Sequence, residues 1–367
     1  MSSEKPFQLN WGVFGPGRIS VLFFNDLLHS KDKLRPDVLS GKISHSLVAI
    51  ASGSSIKNAE WFKKEGINEG DDDNMICYPG YAELLKDDRV DVVYIATLNS
   101  SHFKLCHMAL AAGKHVLMEK PFTMNAKQAK ILIDFAKEKK LFLMEAFWTK
   151  YNPVMKDLTK ICFEDKTIGD IKRVHSDLSF FFDQKDPMMN RIFNHSLGGG
   201  TVLDIGIYAL NWQMNFLDHV NYDPDYLPEV KSFFNFANTG VDISNAIILR
   251  FGDDRLGVAT CSGFFDNPGP AVVIQGTKGR AVVNDSCRPT SYSLYGSDGK
   301  LISEKTYEYD GHAMFFEGDH VALCLMKGML ESDVHTLSHT LKIAKILDAV
   351  RAENGLVYPD EIESTQL

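Results

Sequence analysis

The segment Leu9-Asn-Trp-Gly-Val-Phe-Gly15-Pro-Gly17-Arg-Ile-Ser20 decides the reading of the chain. A short apolar strand, Leu9 to Phe14, runs straight into two glycines, and a helical pattern follows with apolar residues at Ile19, Leu22, Phe23 and Leu27. Strand, glycine turn and helix open a dinucleotide-binding βαβ unit. Gly15 permits the tight turn and Gly17 lets the backbone approach a pyrophosphate. Arg18 and Ile19 begin the helix whose unpaired N–H groups face that anion. Ser20 stands where a third glycine is usual, and is small enough for close helix–strand packing.

Outward from this segment, strands and helices alternate. A polar insertion from about His29 to Ser46 precedes a nearly continuous apolar strand, Ser46–Ala51, as a sheet buried on both faces requires. The pattern then gives a helix at Asn58–Glu65, a strand at Asp91–Thr97, a helix at His102–Ala112, a strand at His115–Met118, a helix at Ala126–Lys139 and a strand at Leu141–Met144. This predicts an α/β Rossmann domain with a doubly wound parallel sheet over residues 1–150. After Pro153 a helix (Val154–Phe163) and a strand (Arg173–Phe182) lead through an irregular stretch, Asp183–Ser196, to an apolar helix, Val202–Leu217. Strands follow at Val230–Asn235, Ser244–Phe251, Gly257–Phe264, Ala271–Gln275, Ala281–Asn284 and Tyr292–Tyr295, then helices at Phe315–Leu330 and Ser338–Glu353. The turns between those strands suit a large, open, mainly antiparallel sheet, so residues 151–367 read as an α+β C-terminal domain.

With 367 residues, two domains are expected, because cores stop growing at roughly 250–300 residues. Lys plus Arg number 39 against 48 Asp plus Glu, a net charge of −9, which argues against nucleic acid as a partner. No apolar run is long enough for a membrane span, and the N-terminus has no apolar signal region. The six scattered cysteines (Cys77, Cys106, Cys162, Cys261, Cys287, Cys324) form no CxxC pair and read as reduced thiols of a cytoplasmic protein. His335 and His339 are spaced i, i+4 without an intervening HExxH glutamate; a solvated helix start is the simpler reading, and no metal is expected.

An NAD-selective domain places Asp or Glu at the end of its second strand. Here that place reads Ser52-Gly-Ser54-Ser55-Ile-Lys57, and the first acid is Glu60. Small hydroxyls and a lysine suit a 2′-phosphate that a carboxylate would repel. NADP is therefore the expected cofactor, with Ser52, Ser54, Ser55 and Lys57 around the phosphate; Ser54 or Ser55 can at the same time serve as a helix N-cap.

Glu119-Lys120-Pro121 directly after a strand, with Gly15-x-Gly17, Ala96-Thr97 and Gly199-Gly-Thr-Val-Leu-Asp204-Ile-Gly-Ile-Tyr208, resembles the glucose-fructose oxidoreductase/inositol dehydrogenase superfamily. Leu141-Phe-Leu-Met-Glu-Ala-Phe-Trp-Thr149 and Asp204-Ile-Gly-Ile-Tyr208 are similar to its dimeric dihydrodiol dehydrogenase branch, and most of all to fungal NADP-dependent D-xylose 1-dehydrogenases. The match continues through Gly276-Thr-Lys-Gly279 and Gly311-His-Ala-Met-Phe-Phe-Glu317, and so spans both domains.

The resemblance implies hydride transfer between a sugar and the nicotinamide, with Lys120, Tyr208 and Asp204 as catalytic residues. A phenol is a poor base near pH 7, so Tyr208 is expected to have its pKa lowered by the Lys120 ammonium, with Asp204 orienting or binding substrate. Thr97, Asn99, His102, Glu119, Lys120 and Pro121 join the cofactor contacts. Trp148, Arg191 and Phe193 join Asp204 and Tyr208 at the sugar. The loop Leu98-Asn-Ser-Ser-His102 keeps one histidine of the branch but has Leu98 and Asn99 where it carries proline and a second histidine. The expected reaction is oxidation of an aldopyranose at C1, D-xylose first, giving the lactone. Alternatives are a trans-dihydrodiol dehydrogenase, an NADPH-dependent sugar-carbonyl reductase, or a catalytically silent sugar or NADP sensor. A homodimer through the open face of the C-terminal sheet is also implied.

Overall fold

The computed structural model describes residues 5–67, 74–186, 189–218, 225–252 and 254–367. Its first sheet has six parallel strands: β1 (Phe7–Phe14), β2 (Ile43–Ala51), β3 (Ile76–Tyr78), β4 (Val92–Ile95), β5 (His115–Glu119) and β6 (Leu143–Ala146). Their order is β3-β2-β1-β4-β5-β6, the doubly wound arrangement whose strand order reverses between β1 and β4. Ligands bind at the carboxyl ends of the strands beside such a reversal. All four residues of β4 are buried, because helices cover both faces. Helices His102–Ala111 and Ala126–Lys139 lie on one side, and Arg18–His29 with Phe315–Met326 on the other.

Several boundaries differ from those predicted. The strand placed at Leu141–Met144 starts two residues later. Lys140 adopts a left-handed backbone (φ 55°) and the Leu141 N–H returns to Ala136 O at 3.0 Å, so Leu141 still closes the preceding helix. That shift makes Glu145 a strand residue. The helix placed at Asn58–Glu65 begins earlier, at Ile56, where Ser55 Oγ accepts the Lys57 N–H at 3.2 Å, and ends in a wide turn at Phe62–Gly66.

The second sheet has eight strands: β7 (Ile171–Ser179), β8 (Glu229–Phe236), β9 (Asp242–Phe251), β10 (Arg255–Ser262), β11 (Val272–Gly276), β12 (Gly279–Val283), β13 (Ser291–Gly296) and β14 (Leu301–Thr306). In the order β14-β13-β12-β11-β7-β10-β9-β8, each neighbouring pair is antiparallel except β7 with β10. β14 escaped the sequence reading because all six of its residues are exposed and it carries no burial alternation. Ile247, Ala259, Ser176 and Val272 line up across the inner face, beneath helix Ile207–Leu217. Ser176 Oγ donates to Ala209 O at 2.7 Å and accepts from Gln213 Nε2 at the same distance.

The insertion before β2 is fastened to the C-terminal part of the chain. Buried Arg35 places Nε and Nη2 on the two oxygens of Asp319 (2.9 and 2.7 Å), and spends its other donors on Ser30 O and Leu27 O. His45 Nε2 reaches Asp319 Oδ1 at 3.0 Å. Helix Phe315–Met326, though late in the sequence, thereby packs on the first sheet. No helix among the described residues is long and apolar enough to cross a membrane.

Candidate active site

The turn after β5 presents Lys120 at the carboxyl end of a parallel strand. Four bonds fix it. Glu119 Oε1 accepts from Tyr94 OH at 2.6 Å, and Glu119 Oε2 from the Lys120 N–H at 3.2 Å. His102 Nδ1 lies 2.9 Å from Pro121 O, and Glu145 Oε1 accepts the Phe122 N–H at 3.0 Å.

The predicted helix Val202–Leu217 is not regular: it opens as a single wide turn, Val202–Gly206, and becomes α-helical at Ile207. Such wide turns recur at functional sites. Asp204 and Tyr208 still converge on Lys120. Lys120 Nζ donates to Asp204 O at 2.7 Å and to Oδ1 at 3.0 Å, and lies 5.2 Å from the Tyr208 ring centroid. Arg191 straddles the same carboxylate, Nη1 to Oδ1 at 2.9 Å and Nη2 to Oδ2 at 3.2 Å. Trp148 Nε1 donates to Tyr208 OH at 2.8 Å, and the Phe147 ring packs on Tyr208 at 5.0 Å. Six residues from four separate segments thus meet around one carboxylate and one phenol.

The electrostatics divide the site in two. Burial alone would raise the Asp204 carboxyl, but Lys120 and Arg191 outweigh it and hold Asp204 well below the usual carboxylate range. Tyr208 goes the other way, which corrects the sequence expectation. Burial first, then the neighbouring Cys287 and Glu119, drive its phenol well above the ordinary value. Lys120 does not counteract this, because its ammonium is committed to Asp204 and sits over the face of the ring rather than at its oxygen.

The residues expected around a dinucleotide line the other side of the crevice. Gly15 has φ 81°, and a methyl there would stand 2.6 Å from Ala96 O, so only glycine fits. Gly17 caps helix Arg18–His29 without a side-chain bond and has open space where a Cβ would stand. Thr97 Oγ1 is buried with no hydrogen-bond partner. Ser52 Oγ and Ser54 Oγ are 3.1 Å apart, and Lys57 is exposed beside them. A glycine cradle, an orphaned hydroxyl and a serine–lysine rim fit a phosphorylated dinucleotide. Arg18 is exposed and Ile19 half-buried at the helix start.

Other expected contacts sit behind this surface. His102 is fully buried and burial lowers its pKa, so the neutral ring, with its proton on Nδ1, donates to Pro121 O at 2.9 Å, while Nε2 only abuts Thr97 O at 3.2 Å. Asn99 Nδ2 donates to Gly198 O at 3.0 Å, across the two domains. Phe193 is buried in a small cluster with Ile192 and Ile243.

His335 and His339 are not at a solvated helix start. His335 Nε2 meets Glu145 Oε2 at 2.9 Å in full burial, and His339 Nε2 reaches Asn211 Oδ1 at 3.2 Å. His335 thus faces β6 and His339 the helix Ile207–Leu217, because helix Leu337–Glu353 folds back across the first sheet. Elsewhere His320, Cys324 and Asp333 hold donor atoms within 4.8 Å of one another. Ser332 Oγ lies 2.8 Å from that imidazole Nε2, and burial pushes the Cys324 thiol up to about 11. Sequence reasoning missed Tyr94, Cys287 and Glu145. Only Glu145 left a signal, as a charge inside an otherwise apolar run.

A family profile described as "Oxidoreductase family, NAD-binding Rossmann fold" matches residues 9–147, and "GFO/IDH/MocA C-terminal domain" matches residues 159–282. The chain is 35% identical to D-xylose 1-dehydrogenase (NADP(+)) of Hypocrea jecorina, over 99% of this chain and 96% of that one. It is 31% identical to trans-1,2-dihydrobenzene-1,2-diol dehydrogenase of Sus scrofa, over 96% of this chain and 99% of that one. Among solved structures, a 3-ketoreductase from Actinomadura kijaniata in complex with NADP and TDP-benzene superposes with a TM-score of 0.76 at 22% identity, covering 94% of this chain and 98% of the other. An aldose-aldose oxidoreductase from Caulobacter crescentus gives 0.76 at 20% identity, covering 94% and 97%. Profiles across both domains and full-length relatives above 30% identity place this chain in the GFO/IDH/MocA family of oxidoreductases.

Proposed function

We propose that the protein is an NADP-dependent dehydrogenase that oxidises an aldopyranose at C1, with D-xylose as substrate and the aldonolactone as product. The observation that carries this reading is the ion-pair cluster in which the largely buried Lys120 and Asp204 meet the half-exposed Arg191, set against Tyr208 at the carboxyl end of β5. Gly15, Gly17 and Thr97, with Ser52, Ser54, Ser55 and Lys57 toward the 2′-phosphate, would hold NADP, which would supply the hydride acceptor. Glu119, Asn99, His102 and Pro121 shape the wall behind it.

Oxidation removes a hydride from C1 and a proton from the C1 hydroxyl. Lys120 uses two of its three donors on Asp204, and its third steadies the developing alkoxide. Tyr208, as the phenolate, takes the hydroxyl proton and becomes the phenol, and the Trp148 N–H, which donates to the same oxygen, stabilises the phenolate before the transfer. Asp204 holds both cations in place, and Arg191 and Trp148 bound the sugar. The high pKa of Tyr208 also favours a second reading, reduction of a sugar carbonyl with NADPH, in which the phenol donates its proton. We infer a homodimer through the outer face of the second sheet, where Phe233, Ile248 and Leu256 share one side and stand exposed.

The test is NADPH formation with a panel of D-xylose, D-glucose and a trans-dihydrodiol, and NADPH binding by fluorescence. D-xylose turnover above the rest supports the proposal. Preference for the dihydrodiol moves the substrate class, and intact NADPH binding without turnover points to a sensor.

A further inference from the structure

The sequence places a carboxylate, Glu145, inside an apolar strand, next to Met118 of β5 in register. Its side chain is about as buried as the leucines around it, at 1% exposure. A buried charge is expensive unless something uses it. Burial pushes this carboxyl up to about 7, against the opposing pull of Thr340, the Phe122 N–H, Lys150 and His102. An apolar residue at the same place would pack without that cost.

Its bonds state the use. Oε1 accepts the Phe122 N–H at 3.0 Å; Oε2 accepts from Thr340 Oγ1 and His335 Nε2, each at 2.9 Å. His335 Nδ1 is buried without a partner, so the tautomer with its proton on Nε2 leaves only a lone pair unmatched and makes His335 a donor to Glu145. On the far side of the same turn, His102 holds Pro121 O. Two adjoining backbone groups of the segment that carries Lys120 are therefore gripped from opposite sides. One grip comes from β6 and is itself anchored by the C-terminal helix Leu337–Glu353.

We propose that Glu145 is a positioning residue for Lys120: by holding the Phe122 N–H, its carboxylate, braced by His335 and Thr340, fixes the Glu119–Phe122 turn so that the ammonium meets Asp204 and the face of Tyr208. The inference rests on the functional reading of Lys120 given above. The titratable groups facing Glu145 are Glu119 on β5, His102 on helix His102–Ala111, Lys150 in the turn after β6, and His335 and His339 from the C-terminal helix region. Lys150 supplies the nearby counter-charge, and burial depresses its own pKa to about 7. The network also backs the phenol, because Phe147 packs between Tyr208 (5.0 Å) and His335 (5.5 Å).

The experiment uses the full chain with D-xylose and NADP. Glu145→Gln keeps the size of the side chain and removes the charge. The expected result is a kcat lower by about 10- to 100-fold, with the affinity for NADPH, read by fluorescence, within about twofold of wild type. In the wild type, log kcat against pH steepens below about pH 7, as Glu145 takes up a proton; in E145Q that extra fall is absent. Thr340→Val removes one donor to the carboxylate and so raises its pKa; the steepening then moves to higher pH, which keeps the test decisive if E145Q folds poorly. A kcat for E145Q within twofold of wild type, or a steepening that T340V leaves in place, overturns the positioning role. A wild type that turns over nothing on the panel defeats the functional reading instead.

Discussion

Alcohol oxidation at this site begins with an unfavourable ionisation. Tyr208 must accept a proton, yet burial beside Cys287 and Glu119 keeps its phenol protonated above the ordinary value of about 10. Near pH 7 the phenolate is then below roughly one part in a thousand, three units at about 1.36 kcal/mol each, or about 4 kcal/mol against the reactive form. Raising the pH removes that barrier step by step. The kcat for oxidation should rise about tenfold per unit between roughly pH 7 and pH 10 with no plateau, whereas carbonyl reduction, which starts from the phenol, should stay flat over the same range. NADPH absorbance at saturating NADP and sugar reads the first, and NADPH consumption reads the second. Tyr208→Phe should lose the slope and fall by about 10²–10⁴ at the alkaline end. A wild-type plateau at or below about pH 8 would refute this reasoning, because it would mean a phenol tuned downward.

Three further outcomes follow from the contacts. Asp204→Asn leaves Lys120 and the half-exposed Arg191 facing each other without their shared carboxylate; Lys120 then loses the partner that positions its ammonium, so kcat/KM should drop by about 100-fold while NADPH affinity changes little. An unchanged kcat/KM contradicts it. Lys57→Glu places a carboxylate at the serine rim, and should weaken NADPH relative to NADH by about 10- to 100-fold in a fluorescence titration; equal weakening of both nucleotides would place the phosphate elsewhere. Arg35→Leu strands Asp319, with a loss of about 3 kcal/mol in urea unfolding at neutral pH. Arg35 and His45 depress the folded pKa of Asp319 below its unfolded value of 3.8, despite burial. The pair's stabilisation is therefore present above about pH 4 and is lost as the pH falls through the folded pKa, so the gap between wild type and R35L should close in acid. A gap that persists there assigns the stability to packing alone.

Much of this architecture was legible because local rules and tertiary demands agreed. Gly15, at φ 81° against Ala96 O, is the turn that a strand followed by Gly-Pro-Gly announces, and the apolar runs of β1, β2 and β4 are what a doubly covered sheet requires. The meeting of Lys120, Asp204 and Tyr208 was expected from motifs that a resemblance connects; spacing alone links only the last two. What stayed hidden was set by packing. The wide turn at Val202–Gly206 leaves no mark that separates it from an α-helix. Glu145 became a strand residue only because Lys140 and Leu141 close the helix before it. The pKa of Tyr208 was misjudged because proximity to an ammonium matters less than what that ammonium is bonded to, and Asp204 had already taken it.

The central claim is hydride removal from sugar C1 onto NADP, and D-xylose deuterated at C1 tests it most directly. Incubated with the enzyme and NADP, it should yield NADPH carrying one deuterium at C4 of the nicotinamide, together with xylonolactone, both read by mass spectrometry. NADPH without the label, or no NADPH from this sugar while a trans-dihydrodiol is consumed, would contradict the account.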